Sequence, residues 1–132
     1  MKWSGNDNYA TPSFLYDALE REFGFTLDPC PLNPNPIIDG LATDWTGQVV
    51  FCNPPWSDIE PWVDKAFSSK CLTVFVLPAR TDTNWFHKLL RQGAEIRLFR
   101  KRVHFMSEGQ KKNPTDGTLV AIVNGNSSTT DF

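Results

Sequence analysis

No apolar run in this 132-residue chain comes near the length needed to cross a bilayer, which takes about 18 residues or more. There is no secretory apolar segment either, so a soluble, intracellular, cytoplasmic protein is expected. No C-x-x-C pair occurs. The three cysteines, Cys30, Cys52 and Cys71, are odd in number, and each lies in or beside an apolar run. They read as buried thiols in a reducing compartment. With His87 and His104 they show no recognised ligand spacing, so no metal is expected. No internal repeat is found. Basic residues are scarce in the first half: residues 1–60 carry two, Lys2 and Arg21, against nine acids, a net of −7. Residues 61–132 carry eleven basic residues against six acids, a net of +5. A polyanion would meet that second half; a solvated helix face and loop would also account for it.

What the chain does have is aromatic mass, with five Trp and ten Phe. That suits a packed core, a stacking surface, or both. The length fits one domain, residues 1–132, with no separate target-recognition domain.

Along the chain, residues 1–10 are polar and contain Trp3 and Tyr9. Thr11-Pro12 reads as an N-cap followed by Pro at the first helical position. Phe14, Leu15, Ala18, Leu19 and Phe23 keep helical spacing, which predicts a helix over 12–23 ended by Gly24. Phe25–Asp28 reads as a short strand running into the proline-dense segment 29–36. An acid at that strand end makes either a ligand-binding corner or a turn cap. Gln48–Cys52 reads as a strand that meets Asn53-Pro54-Pro55-Trp56. Two adjacent prolines force the chain out of any sheet there. Ser57-x-x-Glu60 then reads as a capping box opening a helix over 58–69, with Ile59, Trp62, Val63, Ala66 and Phe67 inward.

Leu72–Leu77 is a continuous apolar, β-branched run, suited to a parallel strand buried on both faces. A third helix is expected over 83–92, with Trp85, Phe86, Leu89 and Leu90 inward and Gly93 ending it. Ala94–Phe99 and Thr118–Asn124 read as strands. Between them lie the basic stretch Arg100-Lys101-Arg102-Val103-His104-Phe105 and a polar loop, 106–117, holding Lys111 and Lys112. The tail 125–132 reads as frayed. The alternation predicts an α/β fold with a mostly parallel sheet, helices on both faces, and an antiparallel pair at one edge.

Several of these stretches occur together in one order: Thr11-Pro12, Leu27-Asp28-Pro29-Cys30, Asn53-Pro54-Pro55-Trp56, Leu77-Pro78-Ala79-Arg80-Thr81-Asp82-Thr83, Trp85-Phe86-His87 and the closing basic strand. Over residues 3–124 this order resembles the phage-encoded DNA N6-adenine methyltransferase family, a compact Dam-type group. The resemblance implies an abbreviated Rossmann-like fold, S-adenosylmethionine as methyl donor, DNA as partner, and the exocyclic amine of adenine as acceptor. It would place the protein in a host cytoplasm. Asn-Pro-Pro-aromatic elements also serve methyltransferases acting on cytosine N4 or protein glutamine. RNA adenine and an inactive binding module of the same fold are further alternatives.

The chemistry asked of Asn53-Pro54-Pro55-Trp56 is specific. The lone pair of an aromatic amine is conjugated into its ring. The Asn53 side-chain oxygen and the Pro54 carbonyl can each accept one N–H, drawing the nitrogen toward tetrahedral geometry. Trp56 offers a face to a base flipped out of the stack. On the donor side the resemblance implies Thr11, Pro12, Asp28, Pro29 and Cys30, though this sequence lacks the Gly-x-Gly of larger relatives. Asp39 or Asp44 would hold the ribose or adenine, Asp44 being favoured because Trp45 beside it could pack on the donor's adenine. On the DNA side Arg100, Lys101, Arg102, Lys111 and Lys112 would bind phosphates. Phe105 would be a second stacking partner or a core residue. Arg80 would face donor or DNA, and His87 reads as structural. A homodimer would enlarge the DNA surface.

Overall fold

The computed structural model describes residues 10–31, 39–107, 110–112 and 116–125. The expectations for Trp3, Tyr9, the middle of the proline-dense segment and the tail lie outside these residues. Three helices and six strands follow in the order α1 (Ser13–Phe23), β1 (Val49–Cys52), α2 (Glu60–Ser69), β2 (Leu72–Pro78), α3 (Asn84–Arg91), β3 (Glu95–Leu98), β4 (Phe105–Ser107), β5 (Gln110–Lys112) and β6 (Thr118–Val123). Among the described residues no helix is long and apolar enough to cross a membrane.

The main sheet has the order β1-β2-β6-β3. β1 pairs with β2 in parallel, whereas β6 is antiparallel to both β2 and β3. The expected mostly parallel sheet is therefore corrected to a mixed one. The cause is local. The crossover through α3 returns β3 parallel in sense to β2 but one strand position away. Among the described residues of the excursion from 99 to 117 there is no helix, and the chain re-enters from the opposite end. It fills that gap as β6, which is interior, beside the edge strand β3. The excursion, expected to be a loop, holds the small β4–β5 hairpin. Phe25–Asp28 contributes less than a full strand: one parallel bridge, Leu27 to Val50, flanks β1.

Side-chain alternation sorts the core into two layers. Val74, Val76, Val120, Ile122 and Phe51 face α1, where Leu15 and Leu19 meet them. Phe75, Leu77, Leu119, Ala121, Val50 and Cys52 face α2 and α3, meeting Trp62, Val63, Ala66, Trp85, Phe86 and Leu89. Helices thus cover both faces, as the apolar run of β2 requires. All three cysteines are buried. Leu90, expected inward, is exposed, and so are Phe14 and Ala18 of the helical spacing in α1. Each lies at the margin of its helix's apolar stripe.

Caps differ in an informative way. Gly24 ends α1 in the left-handed region at φ 69°. Thr83 caps α3, its hydroxyl accepting the Phe86 N–H at 3.3 Å. Ser57 is not the residue that opens the helix, because α2 begins only at Glu60, after Ile59, with Pro61 in its first turn. Glu60 instead pairs with Lys88 on α3, which also binds Asp64. Arg97 on β3 holds Glu22 of α1 through two 2.7 Å bonds. Acids of the first half thus neutralise bases of the second, so part of the charge asymmetry is internal.

Trp45 is fully buried beside Trp62, and its indole N–H donates to the Gly40 carbonyl at 2.9 Å. It cannot pack on a donor's adenine, contrary to expectation. Gly40 is held tightly: a Cβ there would stand 1.9 Å from the Pro29 carbonyl oxygen and 2.8 Å from the Trp62 ring. Gly40→Ala must displace the backbone at Pro29, so a loss of about 1–3 kcal/mol is expected in urea unfolding. An unchanged midpoint would show that this contact is slack.

Candidate functional site

Parallel strands deliver their carboxyl ends to one side of the sheet, where open α/β sheets keep their clefts. Asp28, Asn53 and Ala79-Arg80 all leave the sheet on that side. The antiparallel strand β6 begins there: Thr118 is opposite Pro78, and the Ala79 N–H donates to the Gly117 carbonyl at 2.8 Å. The basic turn Arg100–Arg102 also leaves β3 at this end.

A cleft of about 210 Å³ opens here, lined by Ala10, Thr11, Tyr16, Asp28, Cys30, Phe51 and Asn53. Residues expected separately for donor and acceptor chemistry therefore share one hollow. The Asn53 carboxamide is oriented from both ends. Its Nδ2 donates to the Thr11 hydroxyl at 3.0 Å, and its Oδ1 accepts the Trp56 indole N–H at 3.1 Å. An indole only donates, so these partners decide which end of the amide is oxygen. Thr11 is not the helix cap expected of it: Pro12 occupies that position and no side chain caps α1.

Asp28 forms the acidic wall. Its Oδ1 accepts the Cys30 N–H at 3.0 Å, and no ion pair reaches it among the described residues. Burial raises its pKa to about 6, with the Cys30 hydrogen bond opposing. A carboxylate kept half-buried without a cation is costly for the fold and suits a cationic ligand. Tyr16 and Phe51 complete the apolar side, in edge-to-face contact with centroids 4.9 Å apart. Sequence reasoning missed both. Tyr16 borders the Leu15–Leu19 stripe, and Phe51 points opposite to Val50 and Cys52, signals that periodicity does carry.

The Trp56 loop is braced from outside. Arg80 Nη1 donates to the Trp56 carbonyl at 2.8 Å, and its Nε pairs with Asp116 at 2.9 Å. Arg80 thus spans the loops after β1 and before β6. Phe105 is 1% exposed and meets Trp56 edge-on, centroids 5.1 Å apart. It braces Trp56 and presents no open face. Pro54 is buried, while Pro55 and Trp56 are half-buried.

Asp44 does not join the cleft. It is exposed and accepts the Thr46 N–H at 2.9 Å, a turn cap, which holds its pKa low. Asp39 plays the same part for Leu41. Pro12 and Pro29 are buried beside the cleft. Arg100, Lys101 and Arg102 are exposed, in a turn instead of a strand. The side chains of Lys111 and Lys112 lie outside the described residues. His87 is exposed on α3, its Nε2 2.7 Å from the Thr81 carbonyl. Among the described residues no cluster of His, Cys, Asp or Glu could hold a metal ion.

The model of one protein family, DNA N-6-adenine-methyltransferase (Dam), matches residues 1–124. The chain is 32% identical over 109 residues to a DNA N-6-adenine-methyltransferase of Haemophilus phage HP1 (strain HP1c1). That alignment covers 72% of this chain and 63% of the relative, so the chain spans under two thirds of the relative's length. No solved structure matches.

The partly desolvated Asp28 gives a measurable pH signature. Its folded-state pKa, about 6 against an ordinary 3.8, means the folded protein holds the proton more tightly. Stability is then greatest below the ordinary carboxylate range and is lost as pH rises through about 6. Asp28→Asn removes that loss. In urea unfolding the variant should exceed the parent by about 2–3 kcal/mol above about pH 7, the difference vanishing near pH 4. A pH-independent difference would remove the desolvated-charge account.

Proposed function

This chain belongs to the DNA N-6-adenine-methyltransferase (Dam) family, and from that premise we propose that it methylates the N6 amine of adenine in DNA with S-adenosylmethionine as donor. The observation that carries the reading is the single cleft uniting Thr11, Asp28 and Cys30 with Asn53.

The residues present fit such a donor. Asp28 is a half-buried carboxylate without a cation partner among the described residues, and the donor carries both a sulfonium and an ammonium charge. The backbone at Pro29-Cys30 offers polar contacts, and Tyr16 and Phe51 offer apolar surface. When bound, S-adenosylmethionine supplies an electrophilic methyl group. The remaining work belongs to the chain. Asn53 presents its side-chain oxygen in one fixed orientation, and the Pro54 carbonyl supplies the second acceptor. Together they hold the amine and turn its lone pair out of conjugation. Neither acceptor need move, since the prolines fix one and hydrogen bonds fix the other.

Trp56 engages the flipped base. Its indole N–H is tied to Asn53, so stacking surface and amine acceptor form one unit. Arg100, Lys101 and Arg102 meet phosphates at the same end of the sheet, making affinity strongly salt-dependent. Arg80 serves the loop instead of the DNA, because its guanidinium is held by the Trp56 carbonyl and the Asp116 carboxylate.

Incubation with labelled S-adenosylmethionine and unmethylated DNA, followed by nucleoside analysis, should yield N6-methyladenine. Asn53→Ala should lower kcat by about 100-fold or more while leaving donor affinity within a few-fold. Label in N4-methylcytosine, or retained activity in the variant, would refute the assignment.

A further inference from the structure

We propose that Thr11 is a positioning residue for the amine-binding group: its hydroxyl sets the carboxamide of Asn53 and, through it, the indole of Trp56. The proposal rests on the amine-activating reading of Asn53. It differs from the role in donor binding that the sequence suggests for Thr11.

The geometry holds the carboxamide at both ends, the indole deciding which end is oxygen and the Thr11 hydroxyl anchoring the other. The Trp56 indole N–H, as a donor, requires the Asn53 oxygen, at 3.1 Å. That choice turns Nδ2 to the other side, where the Thr11 Oγ1 accepts from it at 3.0 Å. The contact joins residues 42 apart in sequence, so it is tertiary and ties the start of α1 to the loop after β1. Threonine suits this position. Its oxygen accepts, and its branched Cβ restricts the rotamers available to the hydroxyl. The hydroxyl has no capping duty, since no side chain caps α1 and the Leu15 and Tyr16 N–H groups both reach the Pro12 carbonyl at 3.1 Å.

Removing the hydroxyl takes the acceptor from Nδ2. The carboxamide then loses its anchor at the Nδ2 end, and an amide turned end for end would present N–H groups where the substrate amine also presents N–H groups. The loss should fall on the chemical step and spare donor binding. A donor ligand would behave in the opposite way.

The test uses the full chain with Thr11→Val, nearly the same shape without the hydroxyl, and Thr11→Ser, which restores it. In Thr11→Val, kcat should fall about 10- to 100-fold while the Kd for S-adenosylhomocysteine stays within about 3-fold. In Thr11→Ser, kcat should return to within about 3-fold of the parent. Hydrogen exchange of the Trp56 indole N–H, assigned by its loss in Trp56→Phe, should accelerate in Thr11→Val and be slow again in Thr11→Ser. A Kd raised tenfold or more with kcat kept would make Thr11 a donor ligand and overturn the proposal. Unchanged indole exchange would overturn it as well. If the parent transfers no methyl to DNA, the reading of the site fails, and the exchange data still decide the anchoring.

Discussion

Two consecutive prolines cannot continue a strand, and that constraint organises the protein. Pro54 and Pro55 have no N–H to give a neighbouring strand, so β1 stops at Cys52 and the chain turns out at the carboxyl edge of the sheet. Asn53 is left between a buried strand and a rigid turn. Its position is set by the sheet, and its orientation by Thr11 and Trp56. Everything else at that edge braces the same turn: Arg80 holds the Trp56 carbonyl, Asp116 holds Arg80, and Phe105 packs against the indole. A fixed pair of acceptors needs such bracing, because an acceptor that must reorient during reaction stabilises little.

The edge is built by an arrangement of strands that also explains the charge pattern. β6 enters between β2 and β3 from the cleft edge, carrying Asp116 and Gly117 into contact with the loop after β2. The same topology sets acidic α1 and α2 against Arg97 of β3 and basic α3. Arg97 and Lys88 are occupied by Glu22, Glu95, Glu60 and Asp64. Exposed pairs of this kind contribute at most about 1 kcal/mol each, so their larger effect is on the field outside the molecule. The basic turn at Arg100–Arg102 stays exposed beside the cleft, while Asp28 holds negative charge inside it. One edge thus offers two signs at different depths.

Much of this was legible in the sequence, for identifiable reasons. Helices and strands with strong periodicity, such as α3 and β2, lie within a residue or two of their expected bounds, because burial on one or both faces leaves a direct mark on residue type. Asp28, Asn53 and Trp56 could be named because turn chemistry marks strand ends. The place of β6 could not be read, since a strand's sequence does not record which neighbour it lies beside. Trp45 was misread for a related reason: an indole beside an acid looks like a ligand platform until Gly40 and Trp62 are found closing over it. Arg80 was sought on the ligand side because a guanidinium at a strand end resembles an anion site. Its carbonyl and carboxylate partners are far apart in sequence, 24 and 36 residues away.

The central claim is that the hollow between Thr11, Asp28 and Asn53 is where a methyl donor meets an amine. A crystal structure of the protein with S-adenosylhomocysteine tests it most directly. The account requires the ligand in that hollow, with a cationic group beside Asp28 and its sulfur directed toward the Asn53 side-chain oxygen. A ligand seated instead in the hollow of about 280 Å³ at Ala66, Lys70, Gln92 and Gly125 would contradict it.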